Sequence, residues 1–149
     1  MKTVADPAVL AALTTRLEQL TPTQQRVWGT MNPQQMAAHL ADAAEAVLGR
    51  RSFSTPARGP SRVMKWAALY LPMPWPRGVR SGADPASRSL QPETFATERS
   101  RAIAALAALA AAPAAGLAAH HPLFGPMARG DWLRWAYLHT DHHLRQFGL

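Results

Sequence analysis

Six histidines and no cysteine bound the chemistry open to this chain. His139 and His143 stand four residues apart. On a helix that spacing stacks both imidazoles on one face and aims them at a common point, which suits two ligands of a single metal ion. The plain competitor is a solvated helix end whose imidazoles stabilise the last carbonyls. His39 falls on the apolar stripe of a separate helical segment. Taken alone, such a residue reads as a hydrogen-bonded core histidine. Together, His39, His139 and His143 read as a divalent-metal triad, because helical bundles build metal sites from side chains on facing helices. Three protein ligands leave positions open for water or substrate. With imidazole donors alone, zinc, nickel or iron(II) fit, and the residue types do not choose among them. The lack of cysteine excludes disulfides, thiolate ligands, iron–sulfur clusters and a cysteine nucleophile. A thiol taking part in the reaction has to come from outside.

Three neighbours are candidates to orient a ligand or a bound water. Gln35 lies one turn before His39, Asp42 lies at i+3 from it, and His142 sits beside the helical pair but rotated off its face. For His142 a surface imidazole is the favoured reading, and for Gln35 and Asp42 the competitor is a solvated position. His120 and His121 fall in a turn, where the following Pro122-Leu123-Phe124-Gly125 suggests a packing role. Trp28, Trp132 and Trp135 read as core.

These residues need helices to place them. Asp6-Pro7 and Asn32-Pro33 are N-cap residues followed by a proline at the first helical position. Apolar residues then recur at helical spacing, predicting helices over 7–20 and 33–48. Pro92-Glu93 opens a third helix, 92–112, and Gly130-Asp131 caps a fourth, 131–147. The alanines of the third permit close packing without saying against what. No strand pattern and no repeat is present. Between 50 and 91 the texture turns rich in proline, glycine and arginine, with one short helix expected over 61–71. The expectation is an all-α fold: a four-helix bundle in a single domain, 1–149, with a long irregular crossover between helices 2 and 3. Hydrophobic residues at 48% and charged residues at 17% supply a core and argue against disorder.

The net charge of +7 is uneven. Residues 50–101 carry ten basic against three acidic side chains, and the remainder balances at six against six. Arg50, Arg51, Arg58, Arg62, Lys65, Arg77, Arg80 and Arg88 could gather phosphates, with Trp66, Tyr70 and Trp75 for stacking. No named nucleic-acid motif accompanies them, so a nucleic-acid partner is the weakest reading. A solvated loop favouring anionic, carboxylate-bearing small substrates ranks above it. The longest apolar run, 102–115, is mostly alanine and is broken by Pro113, so no membrane span is expected. The first residues carry no apolar signal core, and a cytoplasmic location is expected.

One further signal lies in the motifs themselves. Trp28-Gly29-x-Met31 followed by Gln34-Gln35-Met36-Ala37-Ala38-His39-Leu40-Ala41-Asp42 resembles the DinB-like metal-binding bundle superfamily. So does His121-Pro122-Leu123-Phe124-Gly125, with Trp132 and Tyr137-x-His139-x-x-His142-His143-Leu144-x-Gln146-Phe147-Gly148. Together they look most like one of its small bacterial branches of unknown function. The resemblance spans nearly the whole chain and is weakest over 57–91. It implies a four-helix bundle, a homodimer, and a metal held by His39, His139 and His143. Characterised members of the wider superfamily are thiol-dependent transferases and isomerases using bacillithiol, mycothiol or glutathione. The resemblance thus implies a metal-dependent enzyme that activates a low-molecular-weight thiol, or water, against a small electrophile. The alternatives are a metal-binding stress protein without turnover and, third, a basic nucleic-acid-binding protein.

Overall fold

Two of the helices begin on the same device. Asp6 Oδ1 accepts from the backbone N–H of Ala8 at 2.9 Å, and α1 follows over Pro7–Gln19. Asn32 Oδ1 accepts from Gln35 N–H at 2.8 Å while Gln35 Oε1 accepts from Asn32 N–H at 2.9 Å, and α2 follows over Pro33–Val47. This reciprocal cap satisfies two backbone donors at once and contributes about 1 kcal/mol. The computed structural model describes residues 1–53, 61–71, 73–77 and 92–149. Among these the remaining helices are α3 (Arg62–Tyr70), α4 (Phe95–Ala111), led in by a 3-10 turn at Pro92–Thr94, and α5 (Arg129–Arg145). The fold is all-α.

α2 and α4 form the most extensive helix pair, and α1 lies against α4 and α5. Their small side chains explain the pairing. Ala37, Ala41 and Ala44 on one helix and Ala102 and Ala105 on the other are buried, so the two backbones approach closely. Leu13, Leu17, Met36, Val47, Leu109, Trp132, Leu144 and Phe147 fill the shared core. Trp132 keeps its indole N–H satisfied by donating to Ala118 O at 2.7 Å.

α3 docks on α5 through polar contacts. Lys65 Nζ lies 2.8 Å from Asp131 Oδ2 and 2.8 Å from Pro126 O, and the Tyr70 hydroxyl donates to Asp131 Oδ1. Burial pushes the Asp131 carboxyl up. Hydrogen bonds from Lys65, Tyr70 and the Ala128 backbone outweigh this and hold it below its ordinary value. The same bond to Asp131, helped by burial, pushes Tyr70 up to about 12.

Two expectations need correction. α5 begins at Arg129, because Asp131 acts as the third helical residue and reaches back to Ala128 N–H at 2.9 Å instead of capping the helix itself. Strands exist, although minimally: His120–His121 pairs antiparallel with Gly125–Pro126, a ladder too short to show alternation in sequence. Several arginines between 50 and 101 also have structural duties. Arg101 pairs with Asp42, Glu45 and Glu98 across the α2–α4 junction. Arg51 pairs with Glu45, and Arg99 donates to Glu18 O and Leu20 O at the end of α1. Arg58, Arg80 and Arg88 lie outside the described residues, as does part of the 50–91 connection.

Candidate metal centre

α2 and α5 cross so that the apolar stripe of one and the histidine face of the other meet. His39 arrives from the middle of α2, and His139 and His143 arrive one turn apart from α5. The ring centroids stand 5.0 Å apart for His39–His139, 4.7 Å for His39–His143 and 4.6 Å for His139–His143. One candidate ligand nitrogen from each ring lies within 4.8 Å of the others. His39 Nε2 and His139 Nε2 are 3.1 Å apart. Two nitrogens on a tetrahedral zinc, each at 2.0–2.1 Å from the ion, stand about 3.3 Å apart, so this spacing fits a shared metal.

The surroundings keep His139 and His143 neutral. Burial pushes His139 well below its ordinary pKa, and the nearby His143 and His39 add to the effect. Burial and His39 do the same to His143, with Gln146 opposing. Neutral imidazoles carry the lone pair that a metal needs. Beneath His139 lies a cavity of about 10 Å³, one water in size, lined by Leu17, Leu40, Ala44, Leu106 and Thr140. The core is closed behind the site.

Aromatic rings flank the histidines. Trp135 stacks on His139 at 4.5 Å, with the ring planes 13° apart. Trp75 lies 6.3 Å from His139 and 5.9 Å from His142, held by its indole N–H donating to Ala68 O at 2.7 Å. Trp28 meets His142 edge-on at 4.9 Å, and the Arg77 guanidinium sits 5.1 Å over the Trp28 ring. Trp132 and Trp135 are core, as expected, whereas Trp28 is half-buried at this mouth.

The three residues expected to support the ligands have the following contacts. Gln35 Oε1 completes the cap of α2. Asp42 takes Arg101 at 2.8 Å and Arg51 at 3.4 Å. His142 is half-buried between Trp28 and Trp75, edge-on to His143 at 5.2 Å, and not a surface imidazole. Burial lowers its pKa, with Arg145 adding and Asp141 opposing. The residue that reasoning from sequence missed is Gln146. Its Oε1 lies 3.1 Å from His143 Nδ1, and its i+3 spacing from His143 was the available signal. Trp75 was expected only as a stacking ring beside the basic block, and its irregular stretch gave no signal of its place near His139 and His142.

No helix among the described residues is long and apolar enough to cross a membrane. No curated protein and no solved structure matches the chain. A family model described as the DinB superfamily matches residues 3–147, which takes in both histidine helices and all the elements between them. Over that span the likeness in the motifs and the all-α fold agree, and the chain belongs to the DinB superfamily.

Proposed function

We propose that this protein holds one divalent metal ion through His39, His139 and His143 and is a metal-dependent enzyme acting on a small electrophile with a low-molecular-weight thiol or water as nucleophile. The observation that carries the reading is the convergence of three imidazole nitrogens, from two helices, within 4.8 Å. A core at that place would otherwise favour leucine. Zinc, nickel and iron(II) all suit the donor set. When bound, such an ion supplies Lewis acidity that lowers the pKa of a thiol or water toward neutrality.

The chain's own residues supply orientation and exclusion of water. Trp135 stacked on His139 fixes that ring's plane, and the apolar core behind the site leaves approach from the side of Trp28 and Trp75. The indoles offer flat apolar surface to a substrate. Arg77, exposed at the same mouth, makes no ion pair among the described residues and offers a charge to a carboxylate. This favours a small anionic electrophile. A nucleic-acid role draws less support, because Arg51 and Lys65 of the basic block are already paired with acids.

The test uses purified protein stripped of metal and reloaded. Thiol conjugation and hydrolysis of a panel of small electrophiles are followed with and without the ion. Turnover that requires the ion and disappears in His143→Ala is the expected result. Stoichiometric metal without turnover for any thiol or water substrate would replace the enzyme reading with a metal-binding protein. Polyanion binding that falls steeply with salt and ignores metal removal would favour nucleic acid.

A further inference from the structure

Gln146 follows α5 three residues after His143, and its side chain is buried at 7% exposure. A buried primary amide in a helical core needs a partner, and here its oxygen faces His143 Nδ1 at 3.1 Å. With the Nδ1 proton donated to that oxygen, the lone pair of His143 resides on Nε2. That is the nitrogen type with which His39 and His139 face each other.

The backbone of the same residue is clamped as well. Gln146 O accepts from Val27 N–H at 2.7 Å and from Trp28 N–H at 3.5 Å. The next residue, Gly29, has φ +91°, in the left-handed region that favours glycine. A Cβ built on Gly29 would stand 3.3 Å from both Cδ and Nε2 of the Gln146 amide. The turn at 27–29 thus holds the carbonyl of Gln146 and closes tightly over its side chain. A side chain at position 29 would strain the backbone and press on the Gln146 amide.

We propose that Gln146 is a positioning residue that selects the His143 tautomer with its lone pair on Nε2, and that the turn at 27–29 locks the Gln146 amide in that pose. The proposal rests on the metal reading for its consequence but not for its geometry. The turn, 114 or more residues before His143 in sequence, becomes part of the metal centre without supplying a ligand. Removing an outer partner of a ligating histidine typically costs about 10–100-fold in metal affinity.

Two measurements on the full chain test it. In the metal-free protein, long-range ¹H–¹⁵N spectra of the histidine rings read the tautomer of His143 directly. The expected result is Nδ1–H in the wild type and loss of that single tautomer in Gln146→Leu. A wild-type His143 protonated on Nε2 overturns the proposal whatever the metal does. In the second measurement, zinc alone is titrated against a chromophoric chelator, with thermal unfolding of each metal-free variant recorded alongside. Gln146→Leu is expected to weaken zinc about 10–100-fold, and Gly29→Ala to weaken it by a smaller factor of about 3–10. Gln146→Glu, whose carboxylate accepts from the same Nδ1–H, is expected to stay within about threefold of wild type. Equal loss in the Glu and Leu variants, or none in the Leu variant, overturns the positioning role. A wild type that binds no zinc overturns the metal reading, and the tautomer measurement still decides the proposal.

Discussion

His121 and the imidazoles of the candidate metal centre, His139 and His143 above all, share most of the properties by which a functional histidine is usually singled out. His121 is 9% exposed, and burial pushes its pKa to about 4. His139 and His143 are likewise pushed down by burial. Both places are aromatic: His121 stacks on Phe124 at 4.4 Å and lies near Phe53 and Trp132, while Trp135 stacks on His139. The difference is what the nitrogens meet. His121 Nδ1 accepts from Leu123 N–H at 3.1 Å, a local bond that fixes the turn. The other three each bring one candidate ligand nitrogen within 4.8 Å of the others. Burial and a depressed pKa mark an imidazole that stays neutral, and only convergence of lone pairs marks a metal centre.

Substitutions can break that contrast, the largest expected effect coming from His121→Ala. Loss of the stacked ring and of the acceptor for Leu123 N–H should cost about 3 kcal/mol in denaturant unfolding. Zinc affinity in the same variant should stay within about twofold, since the site's nitrogens are untouched. A tenfold loss of zinc would erase the distinction between the two regions.

Acid sharpens it next. His121 is neutral in the folded chain down to about pH 4, whereas in the unfolded chain it takes a proton near 6.5. The unfolded state therefore binds more protons between those values, so stability is full above about 6.5 and falls as the pH drops toward 4. The loss approaches about 3 kcal/mol. His121→Phe removes that contribution, so its stability relative to wild type should improve by about this amount between pH 7 and pH 4. A constant difference across that range would mean that His121 titrates normally.

The smallest effect belongs to the clasp beside the site. Asp42→Asn removes one partner of a partly exposed Arg101 that keeps Glu45 and Glu98. The cost should be about 0.5–1 kcal/mol in thermal unfolding, with zinc affinity unchanged. A loss of zinc here would return Asp42 to the role expected from its position one turn after His39.

Helix identity was legible because its signals are local. Asp6-Pro7 and Asn32-Pro33 place two starts at the observed residue, and the spacing of His139 and His143 on one face follows from the helical repeat alone. What escaped reading depends on contacts across the chain. Asp131 looked like a cap, but Ala128 N–H and Lys65 decide its role, and Lys65 comes from a helix 66 residues earlier. Trp28 looked like core because tryptophan usually is, whereas its place at the mouth follows from how the 27–29 turn lies on Gln146. Asp42 had the spacing to support His39, and its ion pair with an arginine 59 residues later was not legible in sequence. The arginines of the middle segment looked alike in composition, and only the fold separates Arg99 at a helix end from Arg77 over an indole.

Titration of the metal-free chain with zinc, read as bound ion per chain in the wild type and in His39→Ala, bears most directly on the meeting of the two helices at one point. The account predicts one ion per wild-type chain and a loss of at least about 100-fold in affinity when His39, the ligand from the other helix, is removed. The metal-free variant should remain folded by circular dichroism. Zinc bound equally well by wild type and His39→Ala, or not bound by wild type at all, would contradict it.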